Sequence, residues 1–277
     1  MVLTLCVGTR SSTLCVEDSG EFFMQLFLPH HYSAFNDPKP LRNDAATIAE
    51  REEVRDTFLC LDNTLRPFIA NSGWDLHPHR QKIHYVSSHQ FIYLPDGKPI
   101  VDSIGAMWLH YGKSRDQLDF VLKLGGYDYT RKNDDEYYNA FYLHSRIQFF
   151  INAEVFRAWL LLATDNNYFD RSEYLRRLDK NQADRNALFQ LLLPLFDKDF
   201  FYEIDGRRLD LKTGLTIDKA MKFIRSDKDR VYAGIVKEYK PDHEDLAEEN
   251  IGAAMIENLK LLFPIYDFMA WRPGKPR

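Results

Sequence analysis

Apolar and polar residues alternate most regularly between Ala140 and Ala163. The odd-numbered positions are apolar, namely Phe141, Leu143, Ile147 and Phe149. The even-numbered positions are polar, namely Tyr142, His144, Arg146 and Gln148. Because successive strand side chains point to opposite faces of a sheet, this period of two predicts a strand with one apolar and one polar face. Asn152-Ala153-Glu154 can then reverse the chain into a partner strand at Val155–Ala163, which predicts a hairpin.

A helical period predicts a long helix near each end of the chain. The first begins after Asn43 or Asp44, either of which can cap it, and Asn71-Ser72-Gly73 ends it. The last runs from about Leu246 to Met269. The apolar positions are Val54, Phe58, Leu61, Leu65 and Phe68 in the first helix and Ile251, Met255, Leu259, Leu262, Tyr266 and Met269 in the last.

Shorter patterns predict the elements between these helices. They are an extended region at residues 74–94, an apolar stretch at Ile100–Tyr111, a short helix after the capping box Ser114–Gln117, helical residues Ser172–Phe196, strands Phe200–Ile204 and Val231–Val236, and a helix at Ile217–Ile224. This order predicts one α+β domain at residues 41–271. Its mixed or antiparallel sheet is packed by helices that include the long C-terminal one. We expect an irregular N-terminal segment at 1–40 and a tail at 272–277.

Composition narrows the class of protein. With 277 residues, 45% hydrophobic and 28% charged, the chain can bury a core, which excludes intrinsic disorder. Its three cysteines, Cys6, Cys15 and Cys60, form no CxxC motif, which is typical of a reduced, intracellular protein. The apolar run Ala158–Ala163 is far shorter than the roughly 20 residues of a membrane helix. We therefore expect a cytoplasmic protein with no membrane partner.

The net charge is −5, which argues against a protein that binds polyanions over its whole surface. A local basic face is still compatible with this charge. Cations alternate with aromatic residues between Trp108 and Arg146. The residues that we assign to nucleic-acid binding are Trp108, Lys113, Arg115, Arg131, Lys132, His144 and Arg146. Trp108 would stack on a base, the cations would contact phosphates, and His144 would hydrogen-bond a base or phosphate. The plainer interpretation is an ordinary solvated face, because Asn133-Asp134-Asp135-Glu136 cancels the local charge.

Two further charged stretches follow. Arg207–Lys240 contains ten Lys and Arg residues, whereas His243–Glu257 is acidic and contains none. Acidic residues at the start of the last helix suit its dipole. The acidic face of that helix is also the surface that a protein-interaction domain would use.

Metal and cofactor motifs are weak or absent. His77, His79, His84 and His89 lie close together, but a regular strand would place His84 and His89 on opposite sides, and no cysteine is nearby. We therefore predict no metal site. The sequence has no Walker A loop, no Gly-x-Gly-x-x-Gly and no Gly-x-Ser-x-Gly, so we predict no cofactor and assign no catalytic residue.

One catalytic alternative is a Mg²⁺-dependent nuclease. Glu238-Tyr239-Lys240 follows a predicted strand, whose alternation would place Glu238 and Lys240 on one face as metal ligand and water-positioning cation. Asp205 or Asp210 would supply the second carboxylate. Glu-x-Lys is a very common tripeptide, and a solvated strand end is the plainer interpretation.

Several short motifs resemble the YktB-like family of uncharacterised bacterial proteins over residues 45–270. They are Trp108-Leu109-His110-Tyr111 with Lys113 and Arg115, His144-Ser145-Arg146-Ile147-Gln148-Phe149-Phe150, Ala233-Gly234-Ile235-Val236 before Lys240-Pro241-Asp242, and Leu262-Phe263-Pro264-Ile265-Tyr266. A related pattern occurs in modules attached to McrB-type restriction ATPases. The resemblance implies a compact α+β fold and, by analogy, a role in DNA restriction or phage defence, but no reaction.

These observations together favour a non-catalytic binding module. DNA or RNA is the first partner to consider, and a protein partner or a fused ATPase is the alternative.

Overall fold

A computed structural model describes residues 25–42, 44–79, 104–124, 144–162, 169–226 and 233–270, with five two-residue strand segments between residues 15 and 100. The helices are α1 (Pro29–Ser33), α2 (Ala45–Asn71), α3 (Arg115–Leu124), α4 (Phe169–Lys180), α5 (Gln182–Leu192), α6 (Ile217–Ile224) and α7 (Ile251–Met269). The strands are β1 (Cys15–Val16), β2 (Phe22–Phe23), β3 (His77–His79), β4 (Ser88–His89), β5 (Ile92–Tyr93), β6 (Pro99–Ile100), β7 (Ile104–Gly112), β8 (Arg146–Asn152), β9 (Phe156–Leu161), β10 (Phe200–Ile204), β11 (Arg207–Asp210) and β12 (Ala233–Tyr239).

The main sheet is antiparallel and confirms the predicted α+β class. Its strand order is β11-β10-β12-β9-β8-β7-β3, and β4 also pairs with β7. The predicted hairpin is β8–β9, whose turn is held by Asn152: its side-chain oxygen accepts the backbone N–H groups of Glu154 and Val155, both at 2.9 Å. Within the described residues, no helix combines the length and apolar composition needed to cross a bilayer.

The pairing register assigns each residue of the sheet to one of two faces. On the helix-covered face, Leu109, Phe149 and Ala158 lie opposite one another on three adjacent strands. Helices α2 and α7 pack there: the Phe58 ring of α2 stacks 6.2 Å from Phe156, and Asn258 of α7 donates to the Tyr239 hydroxyl at 2.7 Å. The second face carries Trp108, His110, Arg146, Gln148, Trp159 and Val236.

The second face is buried as well. Arg146 and Gln148 are 3% and 2% exposed, and the Arg146 Nε donates to the Gln148 side-chain oxygen at 3.0 Å. The predicted hairpin is confirmed, but its second face is neither solvated nor uniformly polar, because Trp159, Leu161, Phe201 and Val236 form a buried apolar cluster beside Arg146 and Gln148. Strand alternation separates two faces of a sheet without determining which of them meets solvent.

The ends of the long helices follow from local hydrogen bonds. Asp44 caps α2 through its Oδ1, which accepts the Thr47 N–H at 3.0 Å, so of the two predicted caps it is the one used. Helix α7 begins at Ile251 rather than near Leu246, because residues 244–246 form a separate 3-10 turn. The Leu246 carbonyl accepts the Leu26 N–H at 3.2 Å, which ties this turn to the N-terminal segment.

Part of the N-terminal segment that we predicted to be irregular contributes to the core. Helix α1 lies within it, and Phe27 is fully buried with its ring 4.8 Å from Phe58 and 5.1 Å from Phe156. Residues 25–42 thus pack against the same sheet as α2. The predicted tail at 272–277 lies outside the described residues.

We expect Gly234→Ala to destabilise the protein strongly. A Cβ atom at this position of β12 would lie 2.1 Å from the Leu160 carbonyl oxygen of β9, which is backbone and cannot rotate away. Forcing the strands apart should lower the free energy of unfolding by roughly 1–3 kcal/mol or more, measured by urea denaturation.

Gly252→Ala is the control for this substitution, since its Cβ would meet the Thr64 methyl group at 3.0 Å and alanine favours the helix that contains it. A Gly234→Ala protein as stable as the wild type would contradict the β9–β12 register.

Candidate functional site

Three segments that are distant in sequence meet at one end of the sheet. Lys113 follows β7, His144 and Ser145 precede β8, and Asp170 is the second residue of α4. Because β7 and β8 run antiparallel with Tyr111 opposite Ile147, the end of one strand lies beside the start of the other. We call Lys113, His144, Ser145 and Asp170 the Asp170 cluster.

Asp170 is the centre of this cluster. The Lys113 Nζ donates to both carboxylate oxygens at 2.6 Å, and the Ser145 N–H donates to Oδ2 at 3.0 Å. The His144 Nδ1 lies 3.9 Å from the same Oδ2. Neither the Lys113 nor the Asp170 side chain reaches solvent. The cluster is therefore a closed ion pair rather than an open binding site.

Burial and charge set the protonation states. Burial acts to raise the pKa of Asp170, but the charges of Lys113 and His144 and the hydrogen bonds from Lys113 and Ser145 together outweigh it and hold this pKa below its ordinary value. Burial, reinforced by Lys113, lowers the pKa of His144 to about 3. At neutral pH the cluster thus contains one ammonium, one carboxylate and a neutral imidazole.

A second buried polar contact lies on the helix-covered face. The Tyr111 hydroxyl donates to the Asp62 Oδ1 of α2 at 2.9 Å, and the Arg66 guanidinium contacts the other oxygen of Asp62. Burial and then the Asp62 charge raise the pKa of Tyr111 well above its usual range. This contact fixes α2 against β7.

Four of the residues that we assigned to a nucleic-acid surface need correction. Trp108, Lys113, His144 and Arg146 are all at most 5% exposed. A buried indole cannot stack on a base, and the Lys113 charge is already bound by Asp170. Three of the four, Lys113, His144 and Arg146, do lie near one another, but as interior side chains.

The other three predicted residues are placed differently. Arg115 is exposed at the start of α3, whereas Arg131 and Lys132 lie outside the described residues. Sequence analysis missed Asp170 and Ser145. Asp170 lies 57 residues from Lys113, and no local pattern marks it as the partner.

The nuclease alternative finds no support in the contacts of Glu238. One of its oxygens accepts from Arg157 at 2.5 Å and the other is bound by Arg208, so two guanidinium groups already neutralise it. Asp205 lies in the β10–β11 turn, and Asp210 sits 3.4 Å from the Lys212 ammonium. Within the described residues, no group of three metal-capable side chains includes Glu238.

One group of metal-capable side chains occurs in the described part of the chain: His30, His31 and Glu53. The His30 Nε2 lies 3.0 Å from the Glu53 carboxylate. However, the His31 Nδ1 accepts the Leu28 N–H at 3.1 Å, so the neutral ring carries its own proton on Nε2. In this arrangement His31 offers no free nitrogen lone pair to a metal.

Among the four histidines that cluster in the sequence between His77 and His89, His77 has its Nε2 2.9 Å from the Asp75 carboxylate.

An open cleft lies between α5 and α6, with a volume of about 480 Å³. Its lining residues are Asp179, Gln182, Arg185, Asp218, Met221, Lys222, Arg225 and Ser226. Arg225 Nε donates to Asp179 at 2.5 Å, and Arg185 donates to the Leu178 carbonyl at 2.6 Å. Unlike the Asp170 cluster, this cleft offers exposed cations to a ligand.

The fold and these sites define an α+β protein with an antiparallel sheet and a buried charged cluster. No model of a known protein family matches the chain, and no curated protein matches it. Membership of the YktB-like family therefore stays a prediction from the motifs quoted above.

We expect Asp170→Asn to cost about 3–5 kcal/mol of unfolding free energy, because it removes the counter-charge from a buried ammonium. The matched control is Asp210→Asn, which removes an exposed partner of Lys212 and should cost less than about 1 kcal/mol. Denaturant unfolding gives both values. Adding Lys113→Met to Asp170→Asn should restore stability. Equal losses in the Asp170→Asn and Asp210→Asn proteins would refute the role of this pair.

Stability should also depend on pH through His144. Its pKa is about 3 when folded and 6.5 when unfolded, so the unfolded chain binds one more proton between these values. The contribution is fully present above pH 6.5 and is lost as pH falls, at about 1.4 kcal/mol per pH unit. Unfolding curves between pH 6.5 and 4.5 should show this slope in the wild type and a shallower one in His144→Gln.

His77→Gln is the exposed-histidine control for that measurement, because His77 is 44% exposed. Identical slopes in the wild type and His144→Gln would show that His144 is not buried in its neutral form.

Proposed function

We propose that the chain is a non-catalytic nucleic-acid-binding module that contacts phosphate groups at the cleft between α5 and α6. The observation that carries this proposal is the cleft lining, in which Arg185, Lys222 and Arg225 converge on one open depression. Phosphate contacts from Lys and Arg supply most of the affinity in nucleic-acid binding and need no catalytic group.

Neighbouring cations extend the lining. Lys219, Lys222 and Arg225 recur every three residues along α6 and so lie on one side of it. Arg207 reaches the same end of α6, where its guanidinium lies 3.4 Å from the Ser226 hydroxyl oxygen. We call Arg185, Arg207, Lys219, Lys222 and Arg225 the basic cleft.

The contacts of the basic cleft leave its cations available. Lys219 and Lys222 form no ion pair with any residue in the described ranges. The Arg225–Asp179 pair is about half exposed on both sides, and such pairs contribute only about 0–1 kcal/mol, so a phosphate can replace the carboxylate. Arg185 donates from Nη1 to the Leu178 and Asp179 carbonyls and from Nε and Nη2 to the Gln182 side-chain oxygen, which fixes the guanidinium and leaves one N–H of Nη2 for a ligand.

Two observations support binding rather than catalysis. The Lys113–Asp170 pair is closed to solvent, and Glu238 is neutralised by two arginines. Neither can act on a substrate in this arrangement. A link to DNA restriction or phage defence enters the proposal through the motif resemblance alone.

Reversing two charges in the cleft should weaken binding. We expect Lys222→Glu/Arg225→Glu to lower the affinity for labelled nucleic acid at least tenfold in fluorescence anisotropy, because two phosphate contacts become repulsive. Lys198→Glu/Lys260→Glu makes the same change in net charge at exposed positions outside the cleft lining and should bind like the wild type.

A second variant tests the surface predicted from the sequence. If Arg115→Glu/Arg131→Glu/Lys132→Glu abolishes binding and the cleft variant does not, the site lies near α3 and the cleft assignment is refuted. If the wild type binds no nucleic acid, the proposed function itself is overturned.

A further inference from the structure

We infer that the basic cleft takes the sugar–phosphate backbone of a duplex rather than the bases of a single strand. This inference rests on the proposed function and narrows its ligand. It follows from what lines the cleft, from where the aromatic rings lie, and from the spacing of the cations on α6.

Among the described residues, the cleft lining contains no aromatic side chain. Proteins that bind single strands stack bases on aromatic rings, which contributes about 1–3 kcal/mol per base. Helix α6 itself carries one aromatic residue, Phe223, which is partly buried. The Arg207 guanidinium lies 5.7 Å from its centroid, and the Tyr202 ring meets it edge-on at 6.2 Å.

Three large aromatic rings on the second face of the sheet are closed to bases as well. Trp108, Trp159 and Phe201 on the second face are 5%, 8% and 6% exposed. Arg208 and Arg157 also cover this face, with the Arg208 guanidinium 3.9 Å from the Phe201 centroid. Within the described residues, the exposed cations of α6 and the aromatic rings of the sheet therefore do not form a joint stacking surface.

The three cations Lys219, Lys222 and Arg225 span a length that matches a phosphate backbone. From Lys219 to Arg225 the helix rises about 9 Å at 1.5 Å per residue. One strand of a duplex advances about 3.4 Å per phosphate along the duplex axis, so a row of cations parallel to that axis spans about three phosphates. Arg185 on the opposite wall of the cleft can contact the same strand from its other side.

The neutral polar groups of the lining are bonded within the protein. The Gln182 side-chain oxygen accepts from Arg185 and its amide donates to Asn186, while the Ser226 hydroxyl donates to the Phe223 carbonyl. Asp218 lies one turn from Lys222 on α6 and repels a phosphate that is out of register with the cations. None of these contacts reads a base edge, so binding should not depend on sequence.

The test is fluorescence anisotropy with a labelled 20-base-pair duplex and each of its single strands, titrated at several salt concentrations. We expect the duplex to bind at least tenfold more tightly than either strand, and a second duplex of unrelated sequence to bind within about twofold of the first. The logarithm of the association constant should fall with the logarithm of salt concentration with a slope near −3, from about −0.9 for each of three phosphates. Lys222→Glu should make this slope shallower by about one, and Lys198→Glu should leave it unchanged.

The outcomes separate the two proposals. No binding to any probe overturns the proposed function. Binding to a single strand as tight as to the duplex, or a strong dependence on duplex sequence, leaves that function standing and overturns the duplex inference. A salt slope that Lys222→Glu does not change places the contact elsewhere and overturns both the cleft assignment and the duplex inference.

Discussion

The buried pair of Lys113 and Asp170 is the constraint on which the arrangement of this fold depends. Removing two charges from water costs several kcal/mol for each ion, and the cost is offset only when the pair is well hydrogen-bonded. Here both carboxylate oxygens are occupied, by the ammonium and by the Ser145 amide. The end of β7, the start of β8 and the start of α4 can therefore occupy only one relative position.

The second face of the sheet shows a related use of polar residues. Arg146 and Gln148 bond to each other in the interior, and Arg157 links Glu203 and Glu238 at the more accessible part of the face. Arginine stems also cover the aromatic rings next to them. An alternating strand in this protein thus buries both of its sides, and the charged groups on the polar side are matched within the fold.

Elements with local signals were predictable. The Asp44 cap, the Asn152 turn and the reciprocal Ser114–Gln117 capping box each join residues within three positions, and the helix at Ile217–Ile224 agrees at both ends. What depends on distant segments was not predictable. The turn that precedes α7 is hydrogen-bonded to Leu26, and β11 has no apolar alternation to mark it. Lys113 and Arg146 lie in the interior rather than on a binding surface, because their burial is a property of the whole fold.

Helix α4 connects the cleft to the core of the protein. Asp170 lies in its first turn and Asp179 in its last, about 14 Å apart along a rigid rod. One end is fixed by a pair that water does not reach, and the other holds Arg225 through a pair that water and salt can loosen. The helix therefore works as a strut that joins the buried pair to the wall of the cleft.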